Sequence, residues 1–168
     1  MIQRFKAMSR QTKVALIAAA LIVLGGGAAF AWWTISPLFI DVRVNEALTE
    51  EENVDTASFQ TLLSGAFSGA DSLHQVSGMA HLIDRGADRI VRFEDDFAST
   101  NGPDLFVWLV RDLEAITGDY VDLGVLKGNL GAQNYAVPEG VDVADYPIVI
   151  IWCKAFGVLF GSATLAGV

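Results

Sequence analysis

An uncharged run from Val14 to Ile40, preceded by Arg4, Lys6, Arg10 and Lys13 and by no acid, constrains this chain more than any other feature. Val14 to Trp33 alone is twenty residues. As a helix they span about 30 Å, the hydrocarbon thickness of a bilayer. Apolar on every side, such a helix has no polar face to turn to water, so a transmembrane helix is predicted. Every nearby Lys and Arg lies on its N-terminal side, which predicts a cytoplasmic N-terminus and an extracytoplasmic C-terminal domain at the cell membrane. A cleaved signal peptide is the rival, because Ala29-Phe30-Ala31 fits a small-x-small cleavage site. Trp32 and Trp33 suit an aromatic belt at the outer headgroups, and Ile35, Leu38, Phe39 and Ile40 continue the apolar run, so the reading is a retained anchor.

The chain of 168 residues has room for one domain beside the anchor. The expected division is a basic cytoplasmic N-terminus (1–13), a signal-anchor helix (14–36), an acidic linker (37–59) and a β domain (60–168). After Ile40, seven bases face all twenty acids, which disfavours nucleic acid and anionic lipid as partners. Within the linker, Asn45 to Asn53 carries Glu46, Glu50, Glu51 and Glu52 and too few apolar residues to bury a face, so a solvated spacer is expected.

From Gln60 onward, short apolar segments alternate with Gly, Asn, Asp and Pro. Strands are predicted at Leu62–Phe67, Gln75–Leu82, Arg89–Phe93, Leu105–Val110, Tyr120–Leu123, Gln133–Val137, Ile148–Cys153 and Val158–Leu165. Between them, Gly69-Ala70-Asp71, Asp84-Arg85-Gly86, Asn101-Gly102-Pro103-Asp104, Lys127-Gly128-Asn129 and Pro138-Glu139-Gly140 supply residues that tolerate positive φ or fix a turn. One helical turn fits Arg111–Ile116. The spacing predicts an all-β fold, an antiparallel β-sandwich or barrel.

Cys153 is the single cysteine, so an exported domain cannot staple itself with it; the sulfur is core filler, a metal ligand or a redox group facing a partner. On a continuous Ile148–Cys153 strand, Val149, Ile151 and Cys153 share one face, and Ile150, Trp152 and Lys154 the other. Lys154 therefore points away from the thiol, and nothing in the sequence marks Cys153 as an activated nucleophile. His74, Met79, His81 and Cys153 are the residue types of a mononuclear copper site, although Cys153 lies far downstream of the rest and His74 falls on the face opposite Met79 and His81. Core or turn hydrogen bonding competes with metal or haem ligation for His74. Glu94-Asp95-Asp96 with Asp104 offers oxygen ligands for calcium, and equally offers turn caps paired with Arg89 or Arg92. Lys127 is a candidate partner for a carboxylate or a thiolate. Tyr120, Tyr135 and Tyr146 suit strand packing. No Ser-His-Asp order, phosphate loop or catalytic carboxylate pair is present, which argues against a hydrolase, a nucleotide enzyme or any stand-alone enzyme.

Four blocks in order resemble the DM13 family, also called the electron-transfer DM13 domain, from about Phe67 to Leu165. They are Phe67-Ser68-Gly69 with His74 and Ser77-Gly78-x-Ala80-x-Leu82; Arg92-Phe93-Glu94-Asp95-Asp96-Phe97 with Asn101-Gly102-Pro103-Asp104-Leu105; Tyr120-Val121-Asp122-Leu123-Gly124-x-Leu126-Lys127-Gly128-Asn129 with Gly131, Gln133-Asn134-Tyr135 and Pro138; and Ile150-Ile151-Trp152-Cys153 with Phe156, Val158, Phe160 and Ala163. His74 belongs to that pattern, whereas His81 falls at a variable position. The resemblance implies an extracytoplasmic all-β module, here in a membrane-anchored, bacterial-type form. In animals such modules accompany DOMON and cytochrome b561-type domains, hence the family's proposed electron transfer through the cysteine that stands here as Cys153.

Two functions are therefore expected. The first is a tethered redox module acting through Cys153, with His74 second as a site residue and metal ligand, copper, haem or calcium as candidate cofactors, and a redox partner in the cell envelope. The second is a non-catalytic envelope module that binds a ligand or protein through loop residues such as Asn101, Asp104 and Asn134.

Overall fold

Ser9 opens the first element by accepting the N–H of Thr12 on its side-chain oxygen, so one of the free donors at the helix start is satisfied. The helix it caps, α1, runs Arg10–Ile35, and the backbone N–H of Ser36 closes its end on the carbonyl of Trp32. Within it, Arg10–Trp32 has a mean hydropathy of 2.4 and none of it is buried, which makes α1 long and apolar enough to cross a membrane. The structure, a computed structural model, describes residues 9–36, 39–48, 59–86 and 88–167. The chain divides between Phe39 and Ile40 into two units.

Two five-stranded antiparallel sheets form the second unit, as the strand spacing predicts. The strands are β1 (Gln60–Ala66), β2 (Ser68–Gly69), β3 (Val76–Ser77), β4 (Met79–Asp84), β5 (Arg89–Phe93), β6 (Ala98–Ser99), β7 (Leu105–Val110), β8 (Tyr120–Val125), β9 (Gln133–Ala136), β10 (Ile148–Cys153), β11 (Val158–Thr164) and β12 (Ala166–Gly167). One sheet has the order β12-β1-β4-β5-β9, the other β2-β11-β10-β7-β8, and β3 pairs with β6. A sandwich results, because alternation sends one set of side chains from each sheet into a shared core. Ala80, Leu82, Val91, Phe93 and Tyr135 enter it from the first sheet, and Leu105, Val107, Leu109, Val149, Ile151 and Cys153 from the second. Phe67 meets Phe93 edge-on at 5.0 Å, and Phe93 stacks on Phe97 at 4.6 Å.

The predicted strand Gln75–Leu82 is interrupted. Gly78 takes φ 102, and a Cβ there would lie 2.6 Å from the Cα of Phe97, so the chain bends at the one residue that can approach so closely. The expected helical turn at Arg111–Ile116 is a loop of bends and turns, in which Asp112 accepts the N–H groups of Glu114 and Ala115. Val143–Asp145 forms a short 3-10 turn instead.

A third difference concerns the first half of the expected acidic spacer. Residues 41–48 lie as a strap on the β domain rather than free in solvent. Val44 and Glu46 donate their N–H groups to the carbonyls of Leu130 and Ala132, and Leu130 donates to that of Val42. The strap's carbonyls are taken up as well: Arg92 donates to Glu46, Arg85 to Leu48, and the Asn134 amide to Ala47. Residues 49–58 of the predicted linker lie outside the described residues.

Candidate functional site

Cys153 ends β10, where it pairs with Leu105 of β7 on one side and Val158 of β11 on the other. Strand alternation places Val149, Ile151 and Cys153 in the core, and Ile150 and Trp152 in a second cluster on the outer face of the sheet. Lys154 turns outward as expected, with its ammonium 4.5 Å from the Phe106 ring centroid and 4.0 Å from Asp122. The thiol is free and 1 % exposed.

One turn covers it. Asn101-Gly102-Pro103-Asp104 crosses the end of β10, and the Sγ–H of Cys153 donates to the Pro103 carbonyl oxygen at 3.0 Å. The turn is fixed on both sides: Asp104 adopts φ 58 and accepts the N–H of Lys154, while Asn101 donates to the carboxylate of Asp41 in the strap. Asn129, buried beside it, donates to the same carboxylate and accepts the N–H of Val42.

His74 has other partners. Its Nδ1 lies 2.8 Å from Asp71 Oδ2, and its ring packs at 4.5 Å on that of Phe160. Asp71 also accepts the N–H groups of Leu73 and His74, an Asx turn that, with the imidazole contact, holds its carboxyl down at about 2. Among the described residues no hydrogen bond or ion pair joins His74 to Cys153.

The remaining candidates are dispersed in the same way. His81 projects from the outer face of β4, with Nε2 3.9 Å from Glu94 and a buried Nδ1 that has no partner among the described residues. The backbone N–H of Met79 donates to Asp96. Glu94 pairs with Arg92 and Asp95 with Arg43, so the acidic block is shared among several local contacts. Among the described residues no three His, Cys, Asp or Glu side chains are grouped to hold a metal ion. The described side chains therefore form no group that fits a copper or calcium ion, the candidate donors being dispersed over the domain.

Lys127 pairs with a carboxylate, not with the thiol: its ammonium lies 2.7 and 2.8 Å from the two Glu46 oxygens and donates to the Asn134 carbonyl. Burial acts to raise the Glu46 carboxyl, but Lys127, the Asn134 N–H and Arg92 outweigh it and hold it below the ordinary carboxylate range. Gln133 is fully buried, where it bridges Gly128 and accepts the hydroxyl proton of Tyr135, itself pushed up from its ordinary value by burial. Sequence reading missed Glu46 and Gln133. The signal for Gln133 was its apolar strand setting, where a buried amide must find partners; Glu46 gave none, because an acid among acids reads as solvated. Tyr120 packs as expected, stacked on Trp108 at 3.9 Å, and Tyr146 donates to Asp119.

No curated protein and no solved structure matches the chain. A protein-family model, Electron transfer DM13, matches residues 67–165 and so takes in more than half of the chain, including β2 to β11, the Asn101–Asp104 turn and Cys153. With its antiparallel sandwich and the thiol at the end of β10, this chain belongs to the DM13 family.

Proposed function

We propose that this protein is an electron-transfer module held on the extracytoplasmic face of a membrane by α1, with Cys153 as its redox group. The observation that carries the reading is the family match over residues 67–165, which contains the chain's one thiol. The thiol sits at the end of β10, bonded to the Pro103 carbonyl of the Asn101–Asp104 turn, so a partner reaches it by displacing that turn. Oxidation there is either loss of one electron and the Sγ proton to an external acceptor, or pairing with a partner thiol to form a disulfide, the two electrons and two protons passing to an external two-electron acceptor. The Pro103 carbonyl is no base, so the proton must leave to the partner or to water once the turn has moved. The partner is a redox component of the cell envelope, and α1 supplies the tether.

A second reading has its own support. With 1 % exposure and a satisfied S–H, Cys153 is also what a structural core residue looks like, and the domain would then be a ligand-binding scaffold presenting loops such as Asn101–Asp104. One experiment separates the two: redox titration of the natively purified full chain against Cys153→Ser, with metal analysis and thiol counting. A wild-type redox transition absent from the variant supports the first reading. Identical behaviour of the two proteins leaves the scaffold.

A further inference from the structure

Seven large apolar side chains of the β domain stand exposed among the described residues: Ile40, Val42, Leu73, Leu113, Tyr120, Val125 and Phe156. A sandwich of this size normally scatters such residues singly. Here five of the seven sit at one end. Leu73 is in the loop tied to Thr100 through Gln75, whose N–H donates to the Thr100 hydroxyl and whose carbonyl accepts the Thr100 N–H. Phe156 is in the β10–β11 turn, closed by the bond from the Gly157 N–H to the Cys153 carbonyl. Val125 ends β8 opposite Phe106, and the following N–H, that of Leu126, bonds to the Leu105 carbonyl. Ile40 and Val42 flank Asp41, whose carboxylate is held by Asn101 and Asn129. All five therefore border the turn over Cys153. Leu113 and Tyr120 lie toward the opposite end, where Tyr120 pairs with Val110.

We propose that the end of the β domain carrying Leu73, Val125 and Phe156 is a lipid-contacting surface that rests on the headgroup layer of a bilayer; the inference rests on the membrane-tethered reading of α1. Three features converge on it. Leu73 and Phe156 are 77 % and 72 % exposed at loop tips, the geometry in which apolar side chains reach the acyl boundary without dragging strands with them. The chain enters the domain at this same end, at Ile40. Five peptide steps separate Ser36, the cap of α1, from Asp41, and at no more than about 3.6 Å per step the tether is roughly 18 Å long at most. A bilayer crossed by α1 is thus within reach of this end. Three of the acids here serve local bonds: Asp41 holds two asparagines, Asp71 its own turn and Asp96 the Met79 N–H, while Asp104 stands exposed in the turn itself. With the domain acidic overall, the lipid that fits is zwitterionic rather than anionic. The consequence for electron transfer is that the turn over Cys153 faces the membrane plane, so its redox partner is membrane-bound.

The test uses the full chain reconstituted in phosphatidylcholine vesicles, with Leu73→Cys, Phe156→Cys or Leu113→Cys carrying an environment-sensitive fluorophore. Cys153 stays in place, and the unsubstituted chain gives the blank. Nitroxide on the lipid acyl chain is expected to quench the labels at 73 and 156 at least twofold more than the label at 113, and phosphatidylglycerol is expected to reduce that difference. Equal quenching at all three positions overturns the inference while leaving the tether intact. Release of the unsubstituted chain by alkaline carbonate instead removes the tether, and the inference with it.

Discussion

The Sγ of Cys153 stands 3.0 Å from the carbonyl oxygen of Pro103 and donates its proton to it, which makes one turn both the lid and the hydrogen-bond partner of the chain's one thiol. Labelling of Cys153 must then wait for that turn to open, because the thiol is 1 % exposed in the closed form. A thiol probe is expected to react at least about 100-fold more slowly with the native chain than with the chain in denaturant, as for any group reached only by local opening. Equal rates would show that the turn does not cover the sulfur.

Substitution at Cys153 separates its packing from its polarity. Cys153→Ala removes one buried atom and should cost about 1 kcal/mol, the lower range for large-to-small changes in a core. Cys153→Ser keeps a donor for the Pro103 carbonyl but sets a more polar group in the apolar core cluster, and should cost about 1–2 kcal/mol. Cys153→Ala gives up that bond, so the two variants are expected to lie within about 1 kcal/mol of each other in urea, both below wild type. A serine variant far less stable than the alanine variant would mean that its hydroxyl does not reach the Pro103 carbonyl.

How much of this was legible depended on whether the signal was local. Arg89–Phe93, Leu105–Val110 and Ile148–Cys153 were read at their observed bounds because period-two alternation and flanking turn residues fix such strands by themselves. The inward face of Cys153 followed from the same alternation. The Gly78 break was not legible, since it exists to clear the backbone of Phe97, a long-range contact with no mark in the neighbouring residues. Nor was the strap: Asp41 and Glu46 look solvated until Asn129 and Lys127, more than eighty positions away, are brought beside them. For the candidate site, residue types suggested a metal set, while the fold gave His74 to Asp71 and Phe160 and Cys153 to Pro103.

The strap can be lifted by one methyl group. Gly131 takes φ 87 directly under it, and a Cβ there would collide with the Val44 carbonyl oxygen. Gly131→Ala should cost about 1–2 kcal/mol for the left-handed backbone alone, and more if the strap stays in place. Release of the strap is the expected response, seen as faster hydrogen exchange at the amides of Val44 and Glu46 while β10 amides remain protected. Unchanged exchange at those two amides would show that the strap tolerates the collision.

Acid should act last on the carboxylates that the fold holds ionised. Asp71 is held at about 2, against an ordinary value of 3.8, chiefly by the His74 side chain and then by the N–H groups of His74 and Leu73. A carboxyl lowered on folding stabilises the native turn above the unfolded value, and that contribution fades as pH falls from about 4 through about 2. The side-chain carboxyl signal of Asp71 should therefore titrate with a midpoint near 2 in the wild type. His74→Ala should move that midpoint upward toward 3.8. A wild-type midpoint already at 3.8 would mean that the His74 contact is not maintained in solution.

Trp108 offers a comparison in which two effects oppose each other. It is 2 % exposed, lies between Tyr120 at 3.9 Å and Trp152 at 5.6 Å, and buries an Nε1–H that has no acceptor among the described residues. Trp108→Phe gives up ring volume and part of two stacking contacts, each worth about 0.5–1.5 kcal/mol. It also removes an unsatisfied buried donor, a relief of about 1–3 kcal/mol. The two nearly cancel, so stability in urea should change by less than about 1 kcal/mol. Ile150 shares that outer face, is fully buried and has no polar atom to lose. Ile150→Ala should therefore show the uncompensated cost of opening the cluster, about 2–5 kcal/mol. If Trp108→Phe proved as costly as Ile150→Ala, the indole N–H would have to be bonded in solution, and its absent penalty would explain the difference.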